Sequence, residues 1–235
     1  MAHATVPTTF GVSTSSKAKA AAKVLGWAGV VVLAVLFILK YVLFYYRHYD
    51  PASFDPYWPR RGWLFLHINA GALALLAGPL QFWTGLRQRH PVFHRWTGRL
   101  YLLGVATGIV GAIGLSATTT FEWGVVNGIR VLAVAWFVTT ALAYHTIRRG
   151  LVSLHKEWMI RSYVVTFAFV TFRFLQDYSP LSRVRPEGDR DTTIAWACWV
   201  VPLAITEMVF HLKRLRTVVA ARAATERIGP LQTGK

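Results

Sequence analysis

Apolar positions in this chain run in long blocks instead of alternating or marking a single helix face. Six blocks are long enough to cross a bilayer: residues 24–46, 63–85, 98–118, 126–147, 158–178 and 192–212. A span needs about 20 predominantly apolar residues, because each adds ~1.5 Å of rise across a hydrocarbon core ~30 Å thick. The connections are short, so little chain is left for a soluble domain, and backbone polar groups at membrane depth must be satisfied within their own helices. The pattern predicts an all-α, polytopic membrane protein with six transmembrane helices in one bundle. Residues 24–212 form this domain, 1–23 precede it as a disordered segment rich in Ala, Ser and Thr, and 213–235 follow as a basic tail.

The first block follows Lys17, Lys19 and Lys23, as a signal peptide would. Its apolar stretch is longer than a usual signal h-region and no small-residue cleavage site follows its aromatic end, so it reads as a retained anchor. Lys and Arg concentrate in the first, third, fifth and last non-spanning segments, which by the positive-inside rule places both termini in the cytoplasm of a multi-pass protein of the inner (plasma) membrane. The net charge of +16 would suit nucleic acid, but the positives are mostly juxtamembrane and no nucleic-acid fold is available. Anionic phospholipid headgroups are the expected partner. The single cysteine, Cys198, forms no intrachain disulfide, and without a C-x-x-C-H run covalent c-type haem is excluded. The loop "RHYDPASFDPYWPRRGW" reads as a compact interfacial cap.

Within the helices the polar residues form stripes. Steps of four and three from His67 give Gly71, Ala74, Gly78, Gln81 and Gly85, a small or polar face directed into the bundle. Gly104, Gly108, Gly111 and Gly114 form a second close-packing surface on the third helix. In "HKEWMIRSYVVTFAFVTFR" the inward stripe runs from His155 through Met159, Ser162, Thr166 and Phe169 to Arg173, whereas Arg161 lies off it and is expected to snorkel to the cytoplasmic interface.

"HINAG" and "HRWTG" each put a glycine one turn after a histidine, the gap that a b-type haem beside the histidine would need; helix packing alone explains the same spacing. His94, His145 and His155 open or close their helices at one depth, so His94 with His155, or His145 instead, is the candidate haem pair, with Gly98 as the gap; no metal other than haem iron is expected. His67 lies at the opposite end. His145 is on the order of 22 Å from the Arg130 level and cannot reach it. At that outer level His67, Arg130, Arg173 and Gln81 make a candidate polar pocket for a haem propionate, a quinone oxygen or another anion, with Gln176 and Asp177 near it. Arg173 could instead pair with Asp177, and Glu207 with His211 or neighbouring arginines.

The run "LHINAGALALLAGPLQFWTGLRQRHPVFHRWTGRLY" with "HKEWMIRSYVVTFAFVTFR" resembles a bacterial family of predicted multi-pass membrane proteins, domain of unknown function number two thousand three hundred and six, over residues 63–178. That family implies no activity. More distantly the chain is similar to transmembrane b-type cytochromes, which pair histidines between helices two and four and between helices three and five. His94 and His155 fit the second pairing, while His67 and His145 share no depth. Three functions follow as expectations. One is a b-type haem or quinone-linked redox protein with a redox partner, another a transporter or binding protein for an anionic or lipid-like ligand, and the third a structural or accessory subunit.

Overall fold

The structure, a computed structural model, describes residues 14–183 and 186–228; residues 1–13 of the expected disordered segment and 229–235 of the tail lie outside the described residues. Six helices are long and apolar enough to cross a membrane: α1 (Ala21–Arg47), α2 (Trp58–Phe82), α3 (Pro91–Ala117), α4 (Trp123–Arg148), α5 (Val152–Tyr178) and α6 (Glu187–Ala224). No strand occurs among the described residues. The helices alternate in direction. One end, the loop face, carries residues 48–57, 118–122 and 179–183; the other, the terminal face, receives the first turns of α1 and the last turns of α6.

The first helix starts at Thr14, inside the segment expected to be disordered, since the run "AKAAAK" consists of strong helix formers that need no packing to favour the α conformation. The last helix continues without a break to Ile228, so the described part of the basic tail is helical.

α2 and α3 make the closest interface, and its cause is in the sequence. A Cβ built at Gly104 would fall 2.8 Å from the Ala70 carbonyl oxygen, and one at Gly111 only 2.7 Å from the His67 nitrogen. Lipid tails are as apolar as the side chains, so helices in a membrane gain association from close packing and hydrogen bonds. Glycine at these positions permits that approach. Further along α2, Gly78 leaves the space that the Tyr163 ring fills, and the Tyr163 hydroxyl donates to the Leu75 carbonyl at 3.0 Å.

α3, α4 and α5 are joined by buried hydroxyls. Tyr101 lies 2.7 Å from Ser162 and 2.8 Å from Thr166; Thr140 lies 2.7 Å from Ser162; the Trp136 indole donates to Thr166 at 2.8 Å. Thr166 donates to the Ser162 carbonyl at 2.8 Å. Its proton is thereby committed and it accepts from Trp136 and Tyr101, so Tyr101 accepts from Ser162 and Ser162 from Thr140. One donor direction satisfies all four hydroxyls, as burial away from water requires. The back-bond of Thr166 to its own helix also coincides with an interruption: α5 consists of Val152–Thr166 and Ala168–Tyr178, separated at Phe167.

Candidate functional site

A cavity of about 170 Å³ lies toward the loop face, between α1, α2, α3, α4 and α5 and beneath the 48–57 connection. Four local features build it. In α1 the chain forms a π-helical turn at Ile38–Val42, which brings Tyr41 and Val42 to the cavity wall and Lys40 to α5; such turns interrupt α-helices often at functional sites. In α2, His67 and Gly71 line the wall, and a Cβ at Gly71 would meet nothing within 4 Å, so this glycine leaves open space. α5 contributes Phe169 and Arg173 beyond its interruption. Trp136 and Thr166 carry the wall down to the buried hydroxyls.

The His67 ring is fixed from behind. Its Nδ1 lies 2.8 Å from the Gly108 carbonyl oxygen, an acceptor only, so Nδ1 carries the proton and Nε2 the lone pair. The ring meets Phe169 edge to face at 5.1 Å, and Nε2 has no hydrogen-bond partner among the described residues.

Arg173 is the cation of this cavity. Its guanidinium donates to Gln176 at 2.7 Å and lies over the Tyr41 ring at 5.5 Å. No Asp or Glu lines the cavity among the described residues. The expected pairing of Arg173 with Asp177 is replaced: Asp177 takes Lys40 at 3.0 Å and the Tyr41 hydroxyl, while Lys40 also donates to Tyr178 at 2.9 Å. The nearest carboxylate is thus already engaged. The phenols of Tyr45 and Tyr57 also line the cavity, close enough to Arg173 for its charge to act on both. Burial pushes the Tyr57 phenol above its ordinary range and the Arg173 charge opposes that shift, so it is neutral and a donor.

The roof is the 48–57 connection, folded around the fully buried Phe54, which packs against Tyr45, Tyr49, Trp58 and Phe65. Arg60, itself 7 % exposed, ties the roof to the end of α3 by donating to the Thr118 carbonyl and, at 3.1 Å, to the Pro56 carbonyl. Tyr57 and Phe121 meet above the cavity at 5.9 Å.

Of the four residues expected in the outer pocket, the structure brings His67 and Arg173 to one cavity and separates the other two. Arg130 is exposed and turns to the Ser116 carbonyl at 3.2 Å, because its place on α4 faces away from α2. Gln81 lies at the terminal face, where it donates to Thr97 at 2.6 Å. It shares the α2 stripe with His67, but a stripe runs the whole length of a helix and Gln81 is at its far end. His48, just beyond the end of α1, stacks on Phe44 at 4.6 Å.

At the terminal face, His155 Nδ1 donates to the Ala143 carbonyl at 2.8 Å, and His94 is near enough for the two charges to interact. His94 Nδ1 is buried without a hydrogen-bond partner, and His145 is exposed. The gap expected at Gly98 is filled: a Cβ there would fall 3.2 Å from the Gln81 side-chain oxygen. In this structure the side-chain amide of Gln81 from α2 thus stands against Gly98, beside His94. Among the described residues no group of three or more His, Cys, Asp or Glu is placed to hold a metal ion.

Arg161 is not a snorkelling anchor. It is 6 % exposed and donates to Glu207 of α6 from Nε and Nη2, at 2.5 and 2.9 Å, between the rings of Trp158 and Phe210. Glu157 lies 3.6 Å from the same guanidinium and takes Arg214 at 2.5 Å. The partner was hidden from a reading of α5 alone, since it comes from a helix 46 residues away.

A family model described as predicted membrane protein, domain of unknown function 2306, matches residues 64–210, from the start of α2 through most of α6. No curated protein and no solved structure matches the chain.

Proposed function

We propose that this chain, which belongs to that predicted membrane protein family, binds an amphiphilic anion at the membrane and holds it in the cavity between His67 and Arg173. The observation that carries this reading is Arg173 itself, a cation on an otherwise aromatic and aliphatic wall, hydrogen-bonded to the neutral Gln176 and facing no carboxylate. A charge at membrane depth is costly unless it pairs or meets water. An anionic ligand removes that cost, and its apolar part takes the place of water along Leu64, Ile68 and Val170. Concave, mostly apolar pockets with a few convergent polar groups are what small-molecule sites look like. The distribution of Lys and Arg supports an orientation in which the terminal face meets the cytoplasm and its anionic phospholipid, and the cavity serves the outer leaflet.

The redox reading with haem on His94 and His155 has less support, because Gln81 fills the Gly98 gap. The test is thermal unfolding of detergent-purified protein with a long-chain carboxylate, a short-chain quinone or phosphatidylglycerol. Stabilisation by the carboxylate that is lost in Gly71→Leu, which fills the cavity, supports the reading. Absence of stabilisation by all three, or a shift unaffected by Gly71→Leu, would sink it.

A further inference from the structure

We infer that the ligand head is a monocarboxylate and that its body, as far as the cavity encloses it, is one aromatic ring or a chain of about six carbons. This rests on the amphiphile reading above and narrows it. Size comes first. The cavity measures about 170 Å³, and an engineered apolar cavity of ~150 Å³ takes up one benzene molecule. The space therefore encloses one ring and its substituent, and excludes the body of a macrocycle or of a two-chain phospholipid.

Charge decides the head. One guanidinium lines the cavity, and Asp177, the acid its charge reaches, is taken up by Lys40 and the Tyr41 hydroxyl. A neutral quinone would leave that cation unpaired after expelling water. A phosphate dianion would bring one negative charge more than the wall compensates. A carboxylate matches the single positive charge, and its two oxygens suit the parallel N–H donors of arginine. Arg173 retains donors beyond the one bonded to Gln176, and the Tyr45 and Tyr57 hydroxyls have no partner among the described residues. These phenols are near enough to interact electrostatically with Arg173. Donors on α1, the roof and α5 thus line the same cavity. The remaining surface is aromatic: Tyr41, Phe121, Trp136 and Phe169 offer ring faces and edges to a planar body.

The experiment is calorimetric titration of the full chain in mild detergent with benzoate, hexanoate, benzamide, phenyl phosphate and a short-chain quinone. Benzoate and hexanoate are expected to bind, with benzamide and phenyl phosphate each at least ~10-fold weaker than benzoate. Arg173→Gln is expected to abolish the preference for benzoate over benzamide, and Tyr45→Phe, which keeps the ring and needs no refolding of α1, to weaken benzoate several-fold while leaving benzamide nearly unchanged. Equal binding of benzoate and benzamide overturns the proposal, as does benzoate affinity indifferent to both substitutions. If the long-chain carboxylate stabilises the protein through Gly71 but benzoate and hexanoate do not bind, this inference fails and the broader reading stands.

Discussion

His67 donates from Nδ1 to the Gly108 carbonyl at 2.8 Å, across the interface where α2 and α3 come closest. The same contact orders the fold and fixes the orientation of the ring on the cavity wall. Packing and binding are therefore coupled at this histidine.

That coupling predicts opposite outcomes for two glycines. Gly111→Val places a Cβ 2.7 Å from the His67 nitrogen and 2.9 Å from its Cα, backbone that cannot move aside cheaply. Overpacking of this kind costs about 1–3 kcal/mol. A lowered melting temperature with loss of ligand binding is expected. Gly71→Ala meets nothing within 4 Å and should leave the melting temperature within about a degree of the wild type. An unchanged Gly111→Val protein would mean that α2 and α3 are not in this register.

The Arg161 and Glu207 pair predicts a double-mutant cycle. Glu207→Gln leaves a buried guanidinium with a weaker partner, and hydrogen bonds to charged groups contribute about 1.5–3 kcal/mol. The Glu207 side chain is half exposed, which keeps the loss below that of a fully buried pair. Chemical denaturation of Arg161→Met, Glu207→Gln and the double variant should show the double variant less destabilised than the sum of the singles. Additivity would argue against the contact.

Much of the architecture was legible in the apolar blocks, because a span needs length and composition and little else. The close-packing face at Gly104, Gly108, Gly111 and Gly114 was legible too, since small residues at helical spacing state how near a neighbour can come. Depth and partner were not. Gln81 and His67 share a stripe but sit at opposite faces, and Arg161 looked interfacial because Glu207 is supplied by another helix. Tyr41, Tyr45 and Tyr57 gave no signal as cavity residues: the π-helical turn that brings Tyr41 to the wall and the fold of the roof around Phe54 depend on tertiary packing.

The buried hydroxyls predict that Tyr101→Phe destabilises the bundle by about 1–3 kcal/mol, since Ser162 and Thr166 each lose a partner where water is absent. Thermal unfolding measures it. A second substitution, Thr140→Val, should cost less in Tyr101→Phe than in the wild type if the hydroxyls act as one network.

The roof predicts a kinetic effect. Arg60→Ala removes both ties, to Thr118 and to Pro56, and should raise amide hydrogen exchange over residues 48–60 while leaving α4 and α6 unchanged. Ligand dissociation should accelerate more than association. Unaltered exchange in this segment would show that Phe54 holds the roof without Arg60.

The cavity as ligand site is tested most directly by photolabelling with a carboxylate that carries a photoactivatable ring, followed by mass spectrometry of the labelled peptides. Labelling is expected within residues 41–45, 67–72 and 166–173, competed by unlabelled benzoate and lost in both Gly71→Leu and Arg173→Gln. Labelling confined to lipid-facing positions such as Leu36, Leu103 and Val134, insensitive to the competitor and to either substitution, would contradict it.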